Sequence, residues 1–129
     1  MRFLRTILAA TAISTAALAA QPAFAQDATP AAYAAALKGK RVLMVPMAMG
    51  FDLAQGWAAI FKREIESFGG VFETRDPNWS VEAGAQALTE AISSDPKPDV
   101  LIVMSPDLNS YSKIMKKAQE AGIYVLLID

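Results

Sequence analysis

The sequence contains no histidine and no cysteine. Their absence removes the commonest general base, the thiol nucleophile and the usual zinc ligands. It also excludes a disulfide framework, so the fold must rest on an apolar core. Glycine is sparse, with 7 in 129 residues. No Gly-x-Gly-x-x-Gly follows the first expected strand, and no Gly-Lys-Ser/Thr loop is present to cradle a phosphate. Nothing therefore supports a dinucleotide or ATP site, and no cofactor or metal is expected. An excess of positive charge is missing too: 12 basic residues face 13 acidic ones, a formal net charge of −1. Nucleic-acid binding is driven by neutralising phosphates with Lys and Arg, and this balance gives no reason to expect it.

What is present begins with an address. Arg2 and Arg5 lie in a short basic start, and no acid occurs before Asp27. The run from Thr6 to Ala20 is apolar but too short and too weakly hydrophobic for a span of roughly 20 strongly apolar residues. It ends at Gln21-Pro22-Ala23-Phe24-Ala25, whose Ala23 and Ala25 give the small-x-small pattern of a signal-peptidase site. Residues 1–25 are read as a cleavable secretory signal peptide, cut after Ala25, with no stable membrane insertion afterwards. A membrane-anchored start or a buried helix is the alternative. Cleavage removes both arginines, so the mature chain is more acidic than the whole. About 100 residues suffice for one small domain.

Residues 26–39 read as a leader, with a helical turn around Ala31 to Leu37. Regular structure is expected from residue 40. Arg41 to Met47 is a short continuous apolar run, the pattern of a strand buried on both faces. Leu53, Trp57, Ile60, Phe61, Ile65 and Phe68 recur at helical spacing, and Gly69-Gly70 stops that helix. Val71 to Arg75 is a second strand, broken by Asp76-Pro77-Asn78. Ser80 caps a helix with the stripe Val81, Ala85, Leu88 and Ile92. Val100 to Met104 is a third strand. Ser105-Pro106-Asp107 reads as a helix start, with a capping hydroxyl, a proline and an acid in order. Leu108, Tyr111, Met115 and Ala118 form the inner stripe of that helix, and Ile123 to Ile128 is the fourth strand. The order βαβαβαβ with short connections predicts an α/β, Rossmann-like parallel sheet. Four strands make such a sheet incomplete, so the chain is expected to be the front portion of a larger protein.

In a sheet of this kind ligands bind outside the carboxyl ends of the strands. Those ends carry Phe51 and Asp52 after the first strand, Asp76, Asn78 and Trp79 after the second, Ser105 after the third and Asp129 after the fourth. Carboxylates, a hydroxyl, an amide and aromatic faces suit a polar, ring-shaped solute such as a sugar. Each residue also has a plainer role. Asp52 and Ser105 are candidate helix caps, Phe51 and Trp79 candidate covers for the end of the sheet, Trp57 a core residue, and Asp129 a chain-terminal acid. A carboxylate-only hydrolase drawing on two of Asp52, Asp76 and Asp129 stays formally open, although no spacing argues for it.

The segment Gly56-Trp57-Ala58 with its preceding loop, the run Pro98 to Asp107 and the ending Ala121 to Asp129 carry a family resemblance. From about Lys40 to Asp129 the chain resembles the N-terminal lobe of periplasmic sugar-binding proteins of the ribose- and galactose-binding type. These are the solute receptors of ABC importers. The resemblance implies a periplasmic, non-enzymatic protein that binds a sugar-like solute and partners a membrane permease. It implies ligand contacts from Phe51, Asp52, Ser105 and Asp129, the last at the position of an aspartate that hydrogen-bonds sugar hydroxyls. Where the family often reads Asn-Pro-Phe-Phe, this chain has Met49-Gly50-Phe51-Asp52-Leu53, and Tyr124 stands where a proline is customary. The family closes two lobes on its ligand, so residues 26–129 alone are expected to bind weakly or not at all. A sensor version of the fold, signalling to a membrane kinase or chemoreceptor, is the second reading. A secreted hydrolase on the same scaffold is the third. Effector domains of lactose-repressor-type transcription factors share the fold, but a signal peptide stands in place of the DNA-binding headpiece.

Overall fold

The computed structural model describes residues 29–107 and 109–128. The expected signal peptide, most of the linker before Thr29, Leu108 and Asp129 therefore lie outside the described residues. Eight elements follow in order: α1 (Pro30–Leu37), β1 (Arg41–Val45), α2 (Asp52–Ser67), β2 (Val71–Thr74), α3 (Val81–Ser93), β3 (Val100–Met104), α4 (Ser112–Glu120) and β4 (Tyr124–Ile128). All strand pairs are parallel, in the order β2-β1-β3-β4. This is the α/β arrangement the alternating pattern predicts.

The apolar runs explain why β1 and β3 are central. Val42 to Val45 and Leu101 to Met104 are all buried, because helices cover them from both sides. On one face, α2 lays Ala58 and Ile65 against Val42, Met44, Phe72 and Ile102, with Trp57 and Phe61 half-buried beside them. On the other, α3 and α4 bring Leu88, Ala91, Tyr111, Met115 and Ala118 against Leu43, Val45, Leu101 and Val103. Leu53 and Ile60, expected in the buried stripe of α2, are instead half exposed, at 52% and 50%. The helix seats its small residues Ala54 and Ala58 on the sheet, and this rotates the two larger side chains toward its flank. On α3, Leu88 is buried and Ala85 and Ile92 half-buried as the spacing predicts. Val81 is exposed, and Gly84 and Ala91 complete the buried face.

The helical turn expected around Ala31 to Leu37 is a helix over Pro30–Leu37, with the Thr29 hydroxyl accepting a hydrogen bond from the Ala32 N–H. Its Tyr33 ring lies 5.6 Å from Phe68, and Gly39, at φ 72°, donates to the Gly69 carbonyl. The last helix does not start at Ser105. The Asp107 carboxylate accepts from the backbone N–H groups of Asn109 and Ser110 at 2.7 and 2.9 Å and from the Ser110 hydroxyl. An aspartate bonding its own backbone two and three residues ahead makes a turn that competes with helix. The helix is delayed to Ser112.

Candidate functional site

β1 lies between β2 and β3, so the chain leaves β1 in one direction and later returns to its other side. The strand order reverses between β1 and β3. Crevices outside the carboxyl ends of the strands at such a switch point are where open α/β sheets bind ligands. The two loops that meet there are Pro46 to Phe51 after β1 and Ser105 to Tyr111 after β3.

The loop after β1 is anchored at its base and open at its tip. Pro46 and Ala48 are buried, whereas Gly50 is exposed. Phe51, in extended conformation at φ −135° and ψ 149°, precedes the helix without a side-chain cap. Asp52 is therefore the first residue of α2 and not its cap, as the sequence had allowed. Its exposed carboxylate sits where the helix dipole favours negative charge.

Asp76, at the end of the β2 segment, ties two loops together. One carboxylate oxygen accepts from Met49 N–H across the sheet edge at 3.0 Å and from Asn78 N–H at 2.8 Å. Gln55 adds a bond from its side-chain amide to the Met49 carbonyl at 3.0 Å. The chain then turns through Asn78 at φ 49° and Trp79 at φ 66°. Asn tolerates the left-handed region, but a bulky residue there is an outlier costing on the order of 1–3 kcal/mol. Trp79 N–H donating to the Met47 carbonyl at 2.8 Å, and Ser80 N–H donating to Pro77, hold the turn closed. The turn leaves Trp79 61% exposed, its ring 5.4 Å from the Phe51 ring and the planes tilted by 31°. Ser80 then caps α3 by accepting from Ala83 N–H.

Ser105 is half-buried at the end of β3. Its hydroxyl donates to the Asp107 carbonyl, so its oxygen retains lone pairs for a ligand hydroxyl. It does not cap α4, because that helix starts seven residues later. The Asp107 carboxyl is held below the usual carboxylate range by the Ser110 hydroxyl and then by the Asn109 and Ser110 N–H groups. Those bonds occupy it within its own turn. Burial pushes the Tyr111 phenol up, and the charges of Asp107 and Glu82 add to the shift.

Of the four residues expected at the site, Phe51, Asp52 and Ser105 all stand at the carboxyl edge, after β1 and β3. Phe51 is in contact with Trp79, which comes from the β2 end. Asp129 falls outside the described residues, directly after β4. Sequence reasoning missed the clamp made by Asp76 and the strained presentation of Trp79. The Asp76-Pro77-Asn78 triplet was the signal for both, since aspartate before such a turn characteristically bonds the backbone ahead of it. Among the described residues, no group of three His, Cys, Asp or Glu side chains is placed to hold a metal. No described helix is long and apolar enough to cross a membrane.

A cavity of about 460 Å³ runs between α4 and β4 and reaches the loop after β3 at Ser105, Asp107 and Tyr111. Met115, Val125 and Leu127 give it an apolar floor, which suits a packed protein element better than a polar solute. The small, polar and aromatic carboxyl edge is the better candidate for ligand chemistry despite its shallower relief.

No protein-family model and no curated protein matches the chain. Solved structures do match. An ABC transporter solute binding protein from Agrobacterium vitis with bound allitol is 27% identical, with a TM-score of 0.65 over 72% of this chain and 31% of its own. An ABC sugar transporter subunit from Rhodobacter sphaeroides 2.4.1 is 22% identical, with a TM-score of 0.65 over 72% of this chain and 32% of its own. LsrB from Clostridium saccharobutylicum in complex with AI-2 is 22% identical, with a TM-score of 0.56 over 69% of this chain and 27% of its own. The fold is therefore that of part of a lobe in solute-binding proteins of this kind, and the chain spans about a third of their length.

Proposed function

We propose that this chain supplies the ligand-facing edge of one lobe in an exported solute receptor. The receptor binds a sugar or sugar-like polyol and delivers it to the membrane permease of an ABC importer. The observation that carries the reading is the polar and aromatic carboxyl edge at the β1/β3 switch point. It occurs on the same fold as a solute binding protein holding allitol. Asp52 and Ser105 are the hydroxyl-binding groups, and Phe51 offers a face to C–H surface. Asp129, directly following β4, is assigned a second carboxylate contact. Residues 1–25 direct export to the periplasm, with cleavage after Ala25.

The fold of the similar structures is that of binding proteins, which favours a receptor over a secreted hydrolase. Asp76, one of the three carboxylates such an enzyme would draw on, spends an oxygen on two backbone donors and acts as a loop clamp. Titration calorimetry of the full-length protein against allitol, D-mannitol, D-ribose and D-galactose tests the reading. Saturable one-to-one binding of at least one of them, without turnover, is the expected result. No heat of binding with any of the four would sink it.

A further inference from the structure

We propose that Trp79 is a solute-contacting, specificity-determining residue, forming with Phe51 an aromatic wall on the β2 side of the site. The inference rests on the receptor reading above and deepens it by assigning Trp79 a direct, discriminating contact. Three observations converge on it. Trp79 is the most exposed aromatic residue at the carboxyl edge, at 61% exposure. Its backbone adopts φ 66°, directly after Asn78 at φ 49°, a conformation that persists only where surrounding bonds over-determine it. Those bonds exist and all originate in the site loops: Asp76 to Met49 and Asn78, and Trp79 N–H to Met47. A tryptophan serving only to cover the end of the sheet would gain by burying its rings. Here the chain accepts backbone strain and keeps the indole in solvent, beside the aromatic residue that opens α2. The 31° tilt at 5.4 Å means the rings do not lie flush, so indole face remains for a second partner. An electron-rich indole face beside hydroxyl-binding groups suits the C–H side of a polyol whose opposite side is hydrogen-bonded.

The wall should discriminate by shape. Solutes that turn a continuous C–H face toward β2 gain from it, and their epimers with a hydroxyl on that face do not. The test uses the full-length protein and its W79A and W79F variants, titrated by calorimetry with allitol, D-mannitol and D-ribose. A contact role predicts that W79A loses about tenfold in affinity for the preferred probe and distinctly less for the others. W79F should recover most of the loss. In a W57F background, saturating the site should shift the tryptophan emission, and adding W79F should abolish that shift. A uniform loss across all probes, the mark of a contact made only between protein surfaces, overturns the proposal. So does unchanged affinity with an unmoved emission spectrum. If the wild type binds none of the probes, the receptor reading falls and this inference falls with it. Binding by the wild type with W79A indistinguishable from it removes this inference alone.

Discussion

Asp99 fastens the amino ends of three strands. Its carboxylate accepts from Lys40 Nζ and from Arg41 N–H, both at 2.8 Å. Its backbone N–H donates to Arg41, and its carbonyl accepts from Tyr124 N–H. The Lys40 hydrogen bond, followed by the Arg41 N–H, holds the Asp99 carboxyl below its ordinary range, while the hydrogen bond to Asp99 and then its charge raise the Lys40 amine. A lowered carboxyl contributes stability above its unfolded pKa and loses it as pH falls through the folded value. A raised amine contributes below its unfolded pKa and loses it as pH rises through its folded value. The pair therefore supports the fold between roughly pH 4 and pH 10. D99N should lower the melting temperature at pH 7, and the gap to wild type should narrow steadily as both are measured toward pH 2. A gap that stays constant with pH would assign the effect to lost geometry alone. Lys40 and Asp99 are adjacent to their strands in the sequence, yet nothing in the spacing marked them as partners, because the contact joins residues 59 positions apart.

The junction between α3 and α4 shows a different kind of constraint. Gly84 lies inside α3, where glycine costs helix stability. A Cβ there would stand 2.1 Å from the Tyr111 hydroxyl oxygen and 2.9 Å from Cζ. Tyr111 is only 4% exposed and belongs to the core on that face, so its ring has little room to yield. G84A should destabilise the protein by about 1–3 kcal/mol, overpacking outweighing the gain in helix propensity. In a double-mutant cycle read by denaturant unfolding, Y111F should recover part of that loss, since it removes the nearer clash. The elements themselves were legible because strand runs such as Val100 to Met104 and stripes such as Leu88 with its neighbours are local patterns. The delayed start of α4 was not, because Ser105-Pro106-Asp107 fits two motifs equally. Only the bonds from Asn109 and Ser110 decide for the turn. Leu53 and Ile60 had the right period for burial. The small residues Ala54 and Ala58 won the sheet because they let α2 approach closely. At the site, strand-end residues such as Phe51 and Ser105 followed from topology, but the positive φ of Trp79 depends on bonds between separate loops.

At the scale of the whole sheet, its two border strands differ in composition and exposure. β2 is a short border strand carrying Glu73, with Arg75 directly after it, charges that discourage further pairing. β4 at the opposite border is Tyr124-Val125-Leu126-Leu127-Ile128, with Tyr124 at 78%, Leu126 at 49% and Leu127 at 58% exposure. It has no charge, no proline and no bulge, and its outer row of backbone donors and acceptors is unpaired among the described strands. A bare five-residue stretch of that composition is a template for intermolecular β pairing and aggregation. Produced by itself, the segment 26–129 should self-associate, and L126K should suppress the light scattering it develops at micromolar concentration. Where a further strand or a partner covers β4, the same substitution should instead cost about 2–4 kcal/mol of unfolding free energy. Opposite signs from one mutation would mark β4 as the seam along which this polypeptide stays soluble or precipitates.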